Sequence, residues 1–312
     1  MKKEELFYSS RDEKTKIQAF RYEPEGVEPW AILQIVHGMA EHVERYEPLA
    51  KFLTDRGIIV TGENHLGHGK SVSEDGKHGY FCRRDPATVV VRDVHRLKKM
   101  NQEKYPGLPY FIMGHSMGSF ITRNYLGRYG SGIDGAIIMG SGIMPNALTV
   151  SAQSFMKFLR MFFGGKHISK VCDKLVFGSY NARITNPRTA FDWLSCDEVQ
   201  VDKYMADPWC GFTFTLNGMI TLMELIKRAH SDDYVNKIPK QIPLFIVAGE
   251  EDPVGNYGEV VPGLKAIYDA KGIENVEAKS YAGARHEILN ENCKEEVMED
   301  IYTWLQKVHG NA

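Results

Sequence analysis

The chain is short of the features that mark disulfide-stapled, membrane-spanning or nucleic-acid-binding proteins. It has five cysteines among 312 residues, at 82, 172, 196, 210 and 293, with no C-x-x-C pair. An odd, scattered set fits reduced thiols rather than a disulfide framework or a thiolate metal site. Charge of neither sign is in excess: 38 Lys and Arg stand against 40 Asp and Glu, a formal net charge of −2. No broad basic surface is available to attract nucleic acid, so a nucleic-acid partner is not expected. No run reaches the roughly 18 uninterrupted apolar residues of a membrane span. Met1 to Ser10 is charged and lacks the apolar stretch of a signal peptide. Internal repeats and low-complexity tracts are missing too. These absences predict a cytoplasmic protein that touches membranes only transiently.

What is there is a large core: 43% of residues are hydrophobic and 11% aromatic. That predicts one α/β domain carrying an insertion rather than two equal domains. Strand-like and helix-like runs alternate from Trp30 to Ser141, which implies right-handed crossovers and a mainly parallel sheet. Ahead of them Ile17 to Tyr22 alternates as a small antiparallel edge. After Gly135-Ala136-Ile137-Ile138-Met139-Gly140-Ser141-Gly142 the alternation stops, and it resumes near Ile242. The expected organisation is a core in two parts, 1–142 and 237–312, with a helical cap at 143–236 inserted before the last core strands. Such an insertion lies over the carboxyl ends of the strands, where ligands bind in open α/β sheets.

The segment Gly114-His115-Ser116-Met117-Gly118 is a G-x-S-x-G pentapeptide. It lies between a short apolar strand pattern, Pro109 to Met113, and a helical one, Met117 to Tyr129. A sharp strand-to-helix turn lifts Ser116 clear of the sheet, while glycines on either side avoid Cβ clashes. A serine hydroxyl is a poor nucleophile by itself and needs a base oriented by a carboxylate. Both follow in the chain. Ile242 to Gly249 is a buried-strand pattern running into Glu250-Glu251-Asp252-Pro253. Asp252 is favoured as the acid because Pro253 fixes the turn after it, with Glu250 and Glu251 on the same loop. Val276 to Tyr281 alternates as the next strand and leads to Arg285-His286-Glu287, so His286 is the candidate base among 11 histidines. The oxyanion donors expected are the backbone amides of Met117, just after the nucleophile, and Met39, on the loop His37-Gly38-Met39-Ala40-Glu41-His42 after the Trp30 to Val36 strand.

Together His37 to His42, Gly67-His68-Gly69-Lys70-Ser71, Gly114 to Gly118 and Arg285-His286-Glu287 resemble the monoacylglycerol lipase and lysophospholipase branch of the α/β-hydrolases, over most of the chain. The resemblance implies an α/β-hydrolase fold, Ser116 as nucleophile, Asp252 and His286 as its partners, and Met39 and Met117 as oxyanion donors. It also implies an aspartate where Asn64 stands, a difference bearing on the hydrogen bonding of that loop. A metal reading of His65, His68 and His78 lacks a completing ligand, so neither metal nor cofactor is expected.

Within the presumptive cap, Phe155, Phe158, Phe162, Met219 and Met223 are the candidate acyl-chain contacts, since flexible Met and flat Phe suit an apolar pocket. Seven apolar residues in the nine positions from Phe155 to Phe163 leave no clean polar face, so part of that segment is expected to stay uncovered. Lys157, Arg160, Lys166, His167 and Lys170 interleave with it, a pattern expected of a solvated face, with an anionic lipid surface as the alternative. Cys196 and Cys210 also lie in this stretch. The expected activity is hydrolysis of carboxylic esters through an acyl-enzyme. The rivals are a cap-bearing peptidase or amidase, a non-catalytic ligand receptor on the same scaffold, and an acyltransferase. The oligomeric state is not readable from the sequence.

Overall fold

A computed structural model describes residues 1–74 and 76–310. Eight strands, β1 (Lys2–Ser9), β2 (Lys16–Glu23), β3 (Ala31–Val36), β4 (Ile58–Glu63), β5 (Tyr110–His115), β6 (Gly135–Met139), β7 (Leu244–Gly249) and β8 (Val276–Tyr281), form one sheet in the order β1-β2-β4-β3-β5-β6-β7-β8. The hairpin β1–β2 is antiparallel, and β2 meets β4 antiparallel. Every later pairing is parallel. The central strands are buried end to end, which is why they read as continuous apolar runs. The edge strand β8 is exposed in its middle, as its polar residues require.

Among the described residues ten α-helices accompany the sheet: α1 (Glu47–Thr54), α2 (Pro86–Lys104), α3 (Met117–Tyr129), α4 (Asn146–Phe163), α5 (Lys170–Phe177), α6 (Glu198–Ala206), α7 (Leu216–Ala229), α8 (Asp232–Val235), α9 (Val260–Ala270) and α10 (Lys294–Gly310). The two-residue period of a strand divides the core in two. On β5, Tyr110 and Ile112 join one cluster with Val94 of α2, Ile121 of α3 and Leu264 of α9. Phe111 and Met113 join the other, with Leu53 of α1 and Trp304 of α10.

Between β6 and β7 the chain runs through α4 to α8. These helices are not equivalent. Helix α7 is buried along most of its length and packs between α3 and α4, so it belongs to the core as much as to any cover. Arg123 of α3 fastens both ends of this insert. Fully buried and, among the described residues, without a carboxylate partner, it donates to the Gly142 carbonyl at 3.2 Å, the Ala229 carbonyl at 2.9 Å and the Tyr268 hydroxyl at 3.0 Å. Ala229 closes α7, where the helix dipole favours a cation.

Candidate active site

Ser116 occupies the turn from β5 into α3 with φ 53° and ψ −120°, backbone angles that side-chain-bearing residues seldom adopt. The strained turn is held from outside: the Ser116 N–H donates to the Met139 carbonyl of β6 at 3.0 Å. It also needs its glycines. A Cβ on Gly118 would collide with the carbonyl oxygens of Val36 and His37, and one on Gly114 with the Gly118 carbonyl and the Thr122 hydroxyl. Helix α3 therefore starts directly against the end of β3, with its first amides beneath the serine.

Asp252, three residues beyond β7, is fully buried. Its Oδ1 accepts the Val254 N–H at 2.8 Å, a bond that spans Pro253 and closes the turn. Its Oδ2 accepts Nδ1–H of His286 at 2.9 Å. Glu250 and Glu251 are exposed, so the choice among three neighbouring carboxylates comes down to the one that faces inward. His286 Nε2 is buried and engages no hydrogen-bond partner among the described residues. Its ring lies between His115, at 4.8 Å, and Trp193, at 5.0 Å between centroids.

Ser116, His286, Met39 and Met117 all line one cavity of about 1040 Å³. The amides of Met39 and Met117 take part in none of the backbone hydrogen bonds of the described residues. The residue model described as "Serine aminopeptidase, S33" (Hydrolase_4) matches residues 27–293. The chain belongs to this family. Among similar proteins are the monoglyceride lipase homolog of monkeypox virus, 28% identical over 89% of this chain and 90% of that protein, and the human monoglyceride lipase, 26% identical over 92% and 85%. Among solved structures, a highly thermostable carboxyl esterase from Bacillus coagulans, in complex with glycerol, superposes with a TM-score of 0.91 at 32% identity, covering 99% of each chain. The chain is thus an α/β-hydrolase of the monoglyceride-lipase-like branch.

Of the five side chains expected around an acyl chain, Phe155 and Met223 line the cavity, and Phe158, Phe162 and Met219 do not. Helical phase explains the split. Helix α4 buries Thr149, Gln153 and Met156, so Phe155 reaches the cavity from its edge while Phe158 and Phe162 stand 55% and 67% exposed, packed on each other. Met219 lies one turn before Met223 on the same face of α7 and joins the same buried cluster, but only Met223 reaches the cavity. The remainder of the wall includes Leu148, Phe177 and Leu194, and Trp193 beside His286.

The histidines that precede Ser116 in this α/β-hydrolase hold its loops. His37 and His68 are fully buried, and burial keeps both neutral, far below the ordinary imidazole range. Neutral rings both donate and accept. His37 Nε2 accepts the His65 N–H at 3.0 Å while Nδ1 donates to the Gly38 carbonyl at 2.8 Å. His68 Nε2 accepts the Ala40 N–H at 3.2 Å and Nδ1 donates to the Leu66 carbonyl at 3.1 Å. His78 bonds the Gly69 carbonyl, so these rings do not converge on a metal. One other group, His42, Asp207 and Cys210, brings donor atoms within 4.8 Å of one another. There His42 Nε2 already bonds Asp207 Oδ2 at 2.8 Å, and burial pushes the Cys210 thiol up and keeps it protonated, which does not suit a zinc centre.

Sequence reasoning missed a buried ionic cluster under the Met39 loop. Glu41 Oε1 accepts the Gly38 N–H at 2.5 Å, the Tyr46 hydroxyl at 2.9 Å and His115 Nδ1 at 3.2 Å. Arg45 bridges Glu41, at 2.7 Å, to Glu287, at 2.6 Å. Burial works against the Glu41 charge, yet His115 and Arg45 hold its carboxyl well below the usual range. The same contacts raise His115 against its own burial. The i, i+4 spacing of Glu41 and Arg45 was the available signal; Glu287, 242 residues beyond Arg45, gave none.

Proposed function

We propose that the chain is a serine hydrolase that cleaves carboxylic esters, with lipids of the monoacylglycerol or lysophospholipid kind as substrates. The observation that carries the reading is the Asp252–His286 pair at 2.9 Å beside Ser116 on its strained turn, both opening into a large, mostly apolar cavity. Kinship with monoglyceride lipases and a carboxyl esterase supports ester hydrolysis. Asp252 fixes the tautomer that carries the proton on Nδ1, so Nε2 presents a lone pair. His286 takes the Ser116 proton as Oγ attacks the ester carbon, and the oxyanion meets the amides of Met39 and Met117. Collapse breaks the ester C–O bond, and His286 returns the proton to the departing alcohol. Water then repeats the sequence and frees the acid.

In this reading residues 143–236 form the cap, with the cavity held between α4, α5 and the strand ends. The cap also grips the Met39 loop: Ala40, at φ 52°, accepts hydrogen bonds through its carbonyl from Tyr204 and Gly211, both at 3.0 Å. We further place the protein in the cytoplasm on its five unpaired thiols; among the described residues no helix is long and apolar enough to cross a membrane.

The family's description as aminopeptidase keeps a second reading in view. A site that captures a free amino terminus needs carboxylates in its cap. Of Asp173, Asp192, Asp197, Glu198, Asp202 and Asp207, only Asp173 lines the cavity, and Glu41 and Glu287 are both engaged by Arg45. That favours esters. The test is Ser116→Ala assayed on p-nitrophenyl esters, monoacylglycerols and aminoacyl anilides. The expected outcome is a folded protein with ester turnover reduced about 10,000-fold or more. Wild-type rates in this variant would overturn the assignment, and anilide turnover without ester turnover would favour the peptidase.

A further inference from the structure

Behind the partition formed by Trp193, Tyr180 and Pro253 lies a second cavity of about 380 Å³ that shares these three residues with the large one. Its placement follows from the loops that carry the site. Glu251 and Arg285, which line it, immediately precede Asp252 and His286. Asp252 and His286 are buried while Glu251 is exposed and Arg285 half-buried, so the two loops that aim Asp252 and His286 at one another turn Glu251 and Arg285 to the side chamber. The Trp193 ring stands 5.0 Å from His286 and 4.7 Å from Tyr180. The partition therefore abuts the imidazole that hands its proton to the leaving alcohol.

The lining has a particular chemistry. Arg183 lies over the Tyr257 ring at 3.6 Å. Arg285 Nη1 donates to the carbonyls of Asp192 at 2.7 Å and Ser195 at 3.1 Å, which anchors its head to the turn that carries Trp193. Among the described residues neither arginine nor Glu251 forms an ion pair. Two guanidinium groups, that of Arg285 anchored by its hydrogen bonds, suit a phosphate diester, and Glu251 with the faces of Trp193, Tyr180 and Tyr257 suits an ammonium.

We propose that this side chamber binds the zwitterionic phosphodiester headgroup of a lysophospholipid, the phosphate between Arg183 and Arg285 and the ammonium against the aromatic faces near Glu251. The proposal rests on the ester-hydrolase reading. The acyl chain then fills the large cavity, the ester carbonyl lies at Ser116, and the glycerol oxygen faces His286. As the Ser116 Oγ–acyl bond forms and the acyl–glycerol C–O bond breaks, the serine proton passes through His286 Nε2 to that oxygen, and the glycerophosphodiester departs through the chamber.

The experiment compares kcat/KM for lysophosphatidylcholine and a monoacylglycerol of the same acyl chain in wild type, Arg183→Ala and Arg183→Lys. Arg183 is exposed, so its replacement leaves the fold in place, which circular dichroism checks. In Arg183→Ala the lysophospholipid-to-monoacylglycerol ratio is expected to fall about tenfold, mostly through KM, with Lys restoring part of it. An unmoved ratio overturns the proposal. In parallel, glycerophosphocholine is titrated calorimetrically into Ser116→Ala and into Ser116→Ala/Arg183→Ala. Binding weakened by the second substitution supports the chamber, while no binding, or equal binding by inorganic phosphate, overturns it. Should neither ester turn over in wild type, the hydrolase reading fails, and this titration still decides the chamber.

Discussion

Asn64 follows β4 with both ends of its amide in use. Fully buried, it accepts the Val43 N–H at 2.9 Å through Oδ1 and donates to Gln18 Oε1 at 2.7 Å through Nδ2. The aspartate implied by resemblance would keep the first bond and set a carboxylate against the Gln18 oxygen. Gln18 cannot turn its amide to help, because Oε1 also accepts the Lys70 N–H and Nε2 donates to Glu5. Asn64→Asp is therefore expected to cost about 1–3 kcal/mol of stability, read as a lower urea midpoint; an unchanged midpoint would mean that Gln18 and its partners rearrange freely. Individual residues were legible where chemistry restricts the choice. Ser116, its two glycines and His286 stand in motifs whose geometry tolerates few substitutes. Trp193 stood in no motif, because its place beside His286 depends on how the insert folds back over the strand ends.

At the scale of elements, periodicity located α3 at its observed limits and β3, β5 and β7 to within two residues, because a fully covered strand can be nothing but apolar. It could not set the phase of α4: with apolar residues on every side, the sequence there does not say which Phe turns inward. Nor could it foresee the end of β4, where Glu63 is fully buried, its Oε2 accepting from Gln34 Nε2 at 3.1 Å and its Oε1 without a hydrogen-bond partner among the described residues. Burial pushes its carboxyl up to about 8, although the Gln34 hydrogen bond works the other way. His65, 3.4 Å away, is pushed down to about 4 by its own burial. Both groups are thus neutral in the fold near pH 6. A raised carboxyl pKa means that the folded chain keeps a proton the unfolded chain has lost. Stability from Glu63 is then present below about 4.5 and is lost as pH rises toward about 8. Glu63→Gln removes this titration and keeps a neutral side chain of the same shape. Its stability relative to wild type should grow between pH 5 and 8, by about 3 kcal/mol at the upper end. Chemical denaturation at several pH values measures this, and parallel curves for the two proteins would refute it.

At the scale of the whole molecule, the same helix that defeats periodicity gives the protein an unusual face. Met161 is 80% exposed, and with Phe158, Phe162, Phe163, Val171 and Leu175 it forms an uncovered apolar surface on α4 and α5. Lys157, Arg160, Lys170 and Lys174 lie among these residues. An uncovered apolar surface of this kind suits a partner, and the mixture of apolar tips and cations fits an anionic lipid interface. It adjoins the cavity through Phe155, which lies in the wall yet is partly exposed, so a lipid drawn from the interface has a short path to Ser116. Phe158 and Phe162 do not line the cavity, which separates docking from chemistry. Burying one such ring contributes about 1.5–3 kcal/mol. The double variant Phe158→Ser/Phe162→Ser should therefore bind anionic vesicles at least about tenfold more weakly and hydrolyse vesicle-borne monoacylglycerol correspondingly more slowly, while p-nitrophenyl butyrate turnover in solution stays within about twofold. Raising the salt concentration should weaken vesicle binding of the wild type by screening the cations. Equal losses on the soluble and the vesicle-borne substrate would assign these rings to the folding of α4 rather than to an interface.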